Sequence, residues 1–143
     1  MLTLAAGANA EDVAFSNPPG VAAPAGYSHV AVVPAGHRTI YVAGQLGFLP
    51  DGTMAGEPGD FSAQAEQAFR NVSEALRSAG SSWDQVVKIN MYVTDARSQL
   101  PLLRQVRDRF VNTDSPPTST TVQIASLVVP GALFEIDAVA VQP

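Results

Sequence analysis

Apolar positions along the chain recur with two different periods, and the switches between them mark the elements. Tyr27–Val33 and Thr39–Leu46 are rich in β-branched and aromatic residues. In the second run Ile40, Val42 and Leu46 share one face, with Gly44 between them. Joined through Pro34, Ala35, Gly36 and His37, the two runs predict a β-hairpin. A turn at Leu49–Gly52 and a Gly/Pro-rich loop to Gly59 follow. The period then becomes three and four: Phe61, Ala65, Ala68, Phe69, Val72, Leu76 and Ala79 predict a helix, N-capped by Asp60 and ended by Gly80. Val86–Val93 alternates again, with Val87, Ile89, Met91 and Val93 set against Lys88, Asn90, Tyr92 and Thr94, and predicts a half-buried strand. Leu100, Leu103, Val106 and Phe110 predict a second helix, capped by Asp95 or Ser98 and ending before Ser115. Two strands close the chain, Thr118–Leu127 and Leu133–Val141, with a turn around Pro130 and Gly131.

The predicted order is β-β-α-β-α-β-β. Two amphipathic helices cannot cover both faces of a sheet of this size, so both are expected on one face, an α+β arrangement. The other face must be used differently. In the last strand Phe134, Ile136, Ala138 and Ala140 make an apolar face, while Leu133, Glu135, Asp137, Val139 and Val141 make a mixed one. A mixed face with apolar ends suits burial against another subunit. Nothing marks a second domain, so residues 1–143 are expected to form one, and the Ala-, Gly- and Pro-rich residues 1–26 to form an extended arm.

Composition sharpens this picture. Hydrophobic residues make up 46% of the chain and charged residues 15%, against about 25% charged in an average domain. So little charge also favours a buried subunit interface. There are no cysteines, which excludes a disulfide framework and thiolate chemistry. The formal charge is −5 with eight Lys and Arg placed singly, so no basic stripe suits nucleic acid as a partner. No apolar run reaches the length of a membrane span. The N-terminal decapeptide lacks the basic start of a signal peptide, so the expected location is cytoplasmic. Two histidines without ligand spacing argue against a metal site.

Several runs together resemble the RidA/YjgF (reactive intermediate deaminase) family over Tyr27–Val141: Tyr41–Gln45, the helix Gln64–Ala79, Val87–Asp95, the Pro116-Pro117 pair before the penultimate strand, and Phe134–Val141. The resemblance implies a chorismate-mutase-like α+β fold and a homotrimer with clefts between subunits. It implies hydrolysis of reactive enamines and imines to a ketoacid and ammonia, without a cofactor. It places the family's water-positioning glutamate at Glu135, the pocket tyrosine at Tyr27 and a cleft-lining glycine at Gly44, although Ala43 replaces the serine usual before that glycine. Thr121 falls at another small cleft residue. The family arginine that grips the substrate carboxylate falls on Ser119. An uncharged residue there marks a subgroup without that arginine, and losing such a clamp costs on the order of 2–4 kcal/mol of transition-state stabilisation.

Each candidate has a plainer reading. Glu135 also fits an exposed strand acid, and Ser119, within Thr118–Thr121, fits a strand with solvated hydroxyls. No nucleophile elbow surrounds it. His29 shares a strand face with Tyr27 and reads as a packed or surface histidine, and His37 as a solvated turn residue. Arg38, Arg97, Arg104 and Arg107 read as surface charges; the alternative is that one enters a cleft from a neighbouring subunit and replaces the missing charge. Two functional classes stay open at this point: a hydrolase of a small enamine or imine, and a non-catalytic trimer that binds a small metabolite or another protein.

Overall fold

The computed structural model describes residues 12–143. Their elements are β1 (Ala14–Ser16), β2 (Val30–Val32), β3 (Arg38–Leu46), α1 (Phe61–Ser78), a short 3-10 turn at Trp83–Gln85, β4 (Val86–Val93), α2 (Ala96–Arg107), β5 (Thr118–Gln123) and β6 (Phe134–Gln142). The main sheet is mixed, in the order β3-β6-β4-β5, with β4 and β5 parallel and the other pairs antiparallel. Both helices lie on one face of it. Phe69, Val72, Leu76, Leu103, Val106, Ile89, Met91, Phe134 and Ile136 share one buried cluster. The ring of Phe69 stacks on Phe134, Trp83 and Phe110 with centroids 5.2–5.8 Å apart. The molecule is thus α+β, with two helices on a mixed sheet.

The helix limits follow from local chemistry. Asp60 Oδ1 accepts from the Ala63 amide at 3.0 Å, and the left-handed Gly80 (φ +73°) follows the end of α1. Asp95 stands at the N-cap of α2, but its carboxylate makes no backbone cap. The buried Gln99 takes that part, its Oε1 accepting from the amides of Thr94 and Asp95 at 3.0 and 2.9 Å. α2 closes at Arg107, earlier than its apolar spacing implied, because turn-like bonds from Arg109 to Val106 and from Phe110 to Arg107 take over.

The predicted hairpin does not form. β3 lies at one edge of the main sheet and pairs with β6, whereas β2 pairs antiparallel with β1 in a separate two-stranded sheet. The cause lies just ahead of β2. The Ser28 amide and hydroxyl donate to the carbonyls of Pro117 and Pro116 at 3.1 and 2.6 Å, and Ser28 bridges Thr118. This pins the start of the segment to β5, at the opposite edge from β3. Alternation announced both strands but carried no information about partners. β1 is also an addition, a strand within the predicted arm; the part of that arm before Asp12 lies outside the described residues. β5 stops at Gln123 rather than Leu127. After Ile124 donates to Val93 at 2.9 Å, the chain turns through Val129–Ala132, with Gly131 at φ +80°.

Candidate functional site

The five candidate residues fall into two groups on opposite faces of the sheet. In the parallel β4/β5 pair, Ser119 lies beside Ile89 and Thr121 beside Met91. Partners in register point to the same side, so both hydroxyls face the helix layer. There Tyr27, Ser119 and Thr121 line a cavity of about 290 Å³ with Ala25, Met91, Leu100, Leu103, Arg104 and Arg107. The connection into β2 holds Tyr27 there, through the Ser28 bonds to Pro116 and Pro117.

Arg107 is not the surface charge its sequence context implied. Its side chain is 11% exposed and its guanidinium packs over the backbone of Gly26, where an added Cβ would lie 2.5 Å from Nη2 and 3.5 Å from Nη1. Nε and Nη2 both reach Asp108 Oδ1, at 2.9 and 2.8 Å. Arg104, one helical turn earlier, is exposed and makes no ion pair among the described residues. Both arginines belong to the same chain as Ser119.

Glu135 points the other way, between the buried Phe134 and Ile136 on β6. It lines a second cavity of about 260 Å³ with Gly44, Tyr92, Ile124, Ser126, Leu127, Val128 and Asp137. Gly44 is there for a local reason. Between Val42 and Gln45 the β3/β6 register slips by one residue, a bulge at Ala43 and Gly44 that bends the strand. The Glu135 carboxylate occupies the space this leaves, and a Cβ on Gly44 would overlap its Oε1. Among the described residues Glu135 has no hydrogen-bond partner or ion pair. Asp137 beside it is engaged: Oδ1 accepts from Asn90 at 2.9 Å and Oδ2 from the Tyr92 hydroxyl at 3.1 Å. Burial, the bond to Asp137, and the charges of Asp137 and Glu135 push the Tyr92 phenol above its usual range.

The remaining candidates have structural occupations. His29 Nε2–H donates to the Ala22 carbonyl at 2.8 Å, and its ring meets Tyr27 edge-on at 5.3 Å. His37 is half-buried and lines a third cavity with Asp12 and Asp84. Periodicity missed two buried glutamines. Gln99 caps α2, and Gln64, 1% exposed, ties α1 to the β5–β6 connection, its Nε2 donating to Gly131 O at 3.0 Å and its Oε1 accepting from Leu133 N at 2.8 Å. A polar residue on an apolar helix stripe was the available signal for both.

Comparison with known proteins agrees with this fold. The family model described as Endoribonuclease L-PSP matches residues 18–142. A 2-iminobutanoate/2-iminopropanoate deaminase of Bos taurus is 34% identical over 117 residues, covering 81% of this chain and 80% of its own. Protein DfrA of Myxococcus xanthus is 35% identical over 115 residues, covering 80% and 84%. Among solved structures, the Rid-family protein YyfB of Yersinia pestis superposes with a TM-score of 0.78 at 28% identity, covering 90% of this chain and 97% of its own. E. coli TdcF with bound serine gives 0.66 at 27%, covering 78% and 85%. On these matches the chain belongs to the Endoribonuclease L-PSP family, that of the RidA/YjgF proteins.

Proposed function

We propose that this protein hydrolyses a small imine or enamine without a cofactor, in a cleft between subunits of a chorismate-mutase-like homotrimer. One observation carries the reading: Glu135, at the family's water-handling position, is an unpartnered carboxylate held over the bulge glycine Gly44 on the open face of the sheet. A carboxylate with free lone pairs can take a proton from water as the water oxygen bonds to an imine carbon. The C=N electron pair moves to nitrogen, which receives that proton back. The hydroxyl proton of the resulting carbinolamine then passes through the same carboxylate to nitrogen as the C=O bond forms and the C–N bond breaks, leaving a carbonyl compound and ammonia. An enamine enters the same path after protonation at carbon.

The second subunit is part of the proposal because Glu135 and Gly44 lie on the face opposite Tyr27, Ser119 and Thr121. One chain cannot close both groups around a small molecule, whereas the open face of one copy set against the β5 edge of another can. The apolar content of that open face supports this. Tyr41 is 81% exposed beside Val139, and Val128 is 88% exposed next to the Glu135 cavity. RNA cleavage is not proposed, since the chain is acidic and neither cavity that carries a candidate residue is lined by a histidine that could pass protons in phosphodiester cleavage.

A coupled assay tests the reading. 2-Aminoacrylate generated by a pyridoxal-phosphate dehydratase, and a panel of other small imines, are followed for ammonia release. The wild type is expected to exceed the spontaneous rate on at least one substrate, and Glu135→Gln to lose at least ~100-fold of the excess. Equal rates for both proteins would remove Glu135 from the chemistry. If Ser119→Arg alone turns over 2-aminoacrylate, the wild-type substrate differs from that imine.

A further inference from the structure

We propose that the cavity between α2 and β5 is an anion site in which Arg104 and Arg107, carried by the helix, bind the carboxylate of a small ligand beside Tyr27, Ser119 and Thr121. The argument begins with charge. The chain has eight Lys and Arg against thirteen Asp and Glu, yet two of the eight line this one cavity and no carboxylate does. Three other cavities in the described residues each carry acid: Asp12 and Asp84 in one, Glu57 in another, Glu135 and Asp137 in the last. A cavity lined by two guanidiniums attracts an anion, and every other cavity named here repels one.

Geometry separates the two arginines into a fixed and a free member. Arg107 is clamped: Asp108 holds Nε and Nη2 on one side, and Gly26 leaves room for the guanidinium on the other. Nη1 has no partner among the described residues and remains available as a donor. Arg104 lies on the same helix face at i and i+3, has no acidic partner, and can swing. Two guanidiniums on one side and three hydroxyls on the other suit a planar carboxylate with a polar substituent. Leu100, Leu103 and Met91 form the remaining wall, which fits a short aliphatic part. The volume of about 290 Å³ lies at the low end for small-molecule sites and suits a ligand of a few heavy atoms.

For what becomes of the ligand, this inference rests on the proposed hydrolysis; for its binding, it does not. It names the substrate class as a small carboxylate whose charge is met from a helix rather than from strand β5, where Ser119 stands.

The test is a calorimetric titration of the full-length protein with pyruvate and 2-oxobutanoate, with 2-butanone as the neutral control. Saturable binding of the two ketoacids, at least ~10-fold weakened in Arg104→Gln and falling as salt rises, is the expected result. Arg107→Lys is expected to weaken binding too, and its melting temperature is read alongside. Arg104→Gln, at an exposed position, keeps the test valid if Arg107 variants fold poorly. Amide shifts at Ser119 and Thr121 on adding pyruvate are expected to map the site. No saturable ketoacid binding, equal binding by 2-butanone, or unchanged binding in Arg104→Gln would overturn the proposal. Glu135→Gln separates the two claims. If it abolishes turnover while the arginine variants bind and react as wild type, the hydrolysis stands and the anion site falls. If ketoacid binding depends on Arg104 but nothing is hydrolysed, the anion site stands and the hydrolysis falls.

Discussion

At the scale of single residues, the arrangement turns on how little surrounds Glu135. Its carboxylate sits where a side chain at position 44 would be, so Gly44→Ala is expected to swing it away. The displaced atoms are the tip of a flexible side chain, so the melting temperature should fall by only a few degrees, roughly 1 kcal/mol or less of stability. Turnover should fall as far as in Glu135→Gln. A Gly44→Ala protein with full activity would break the link between the bulge and the acid. Tyr92 gives a pH prediction. Its phenol titrates above its unfolded range, so the folded state holds that proton more tightly than the unfolded chain does. Its contribution is therefore complete below about pH 10 and lost as pH rises through the higher folded value. Melting temperatures measured from pH 8 to 11 should decline less steeply in Tyr92→Phe than in the wild type. Identical slopes would count against the Tyr92–Asp137 bond.

At the scale of elements, the two buried glutamines are the joints. Gln64→Leu leaves the Leu133 amide and the Gly131 carbonyl without their partner; the exposed Gly131 carbonyl can turn to water, whereas the half-buried Leu133 amide left unpaired costs about 1–3 kcal/mol. Chemical denaturation should show a loss in that range for Gln64→Leu, and loosened exchange of the Leu133 amide should accompany it. A neutral result would mean that the β5–β6 connection finds its own bonds. The strands and both helices were legible because core-facing residues repeat with the period of their element, as in Phe61–Leu76 and Val87–Val93. Partner choice was not legible. Ser28 is bound by Pro116 and Pro117, 88 residues away by the side-chain bond, and no local pattern near Val30–Val32 records that. In the same way, Glu135 and Ser119 could each be singled out as candidates, but only the β4/β5 and β4/β6 registers place them on opposite faces. Arg107 read as a surface charge because its burial depends on Gly26, which lies beside it only after folding.

At the scale of the whole molecule, the open face of the main sheet exposes Tyr41 beside Val139, with the Glu135 cavity on the same side. If that face is a subunit interface, Tyr41→Lys combined with Val139→Asp should move the mass measured by light scattering from trimer to monomer and abolish turnover. A strictly monomeric wild type at micromolar concentration would remove the interface from the account. The most direct test of the central claim, a hydrolytic cleft with Glu135 from one subunit and the Tyr27–Ser119 cavity from the next, is a subunit-mixing experiment. Glu135→Gln and Ser119→Glu proteins, each inactive alone, are unfolded together in equal amounts, refolded, and assayed for ammonia release from the preferred imine. Random assembly should leave about a quarter of the clefts with both halves intact, restoring activity in that proportion. A mixture no more active than either variant alone would contradict the account.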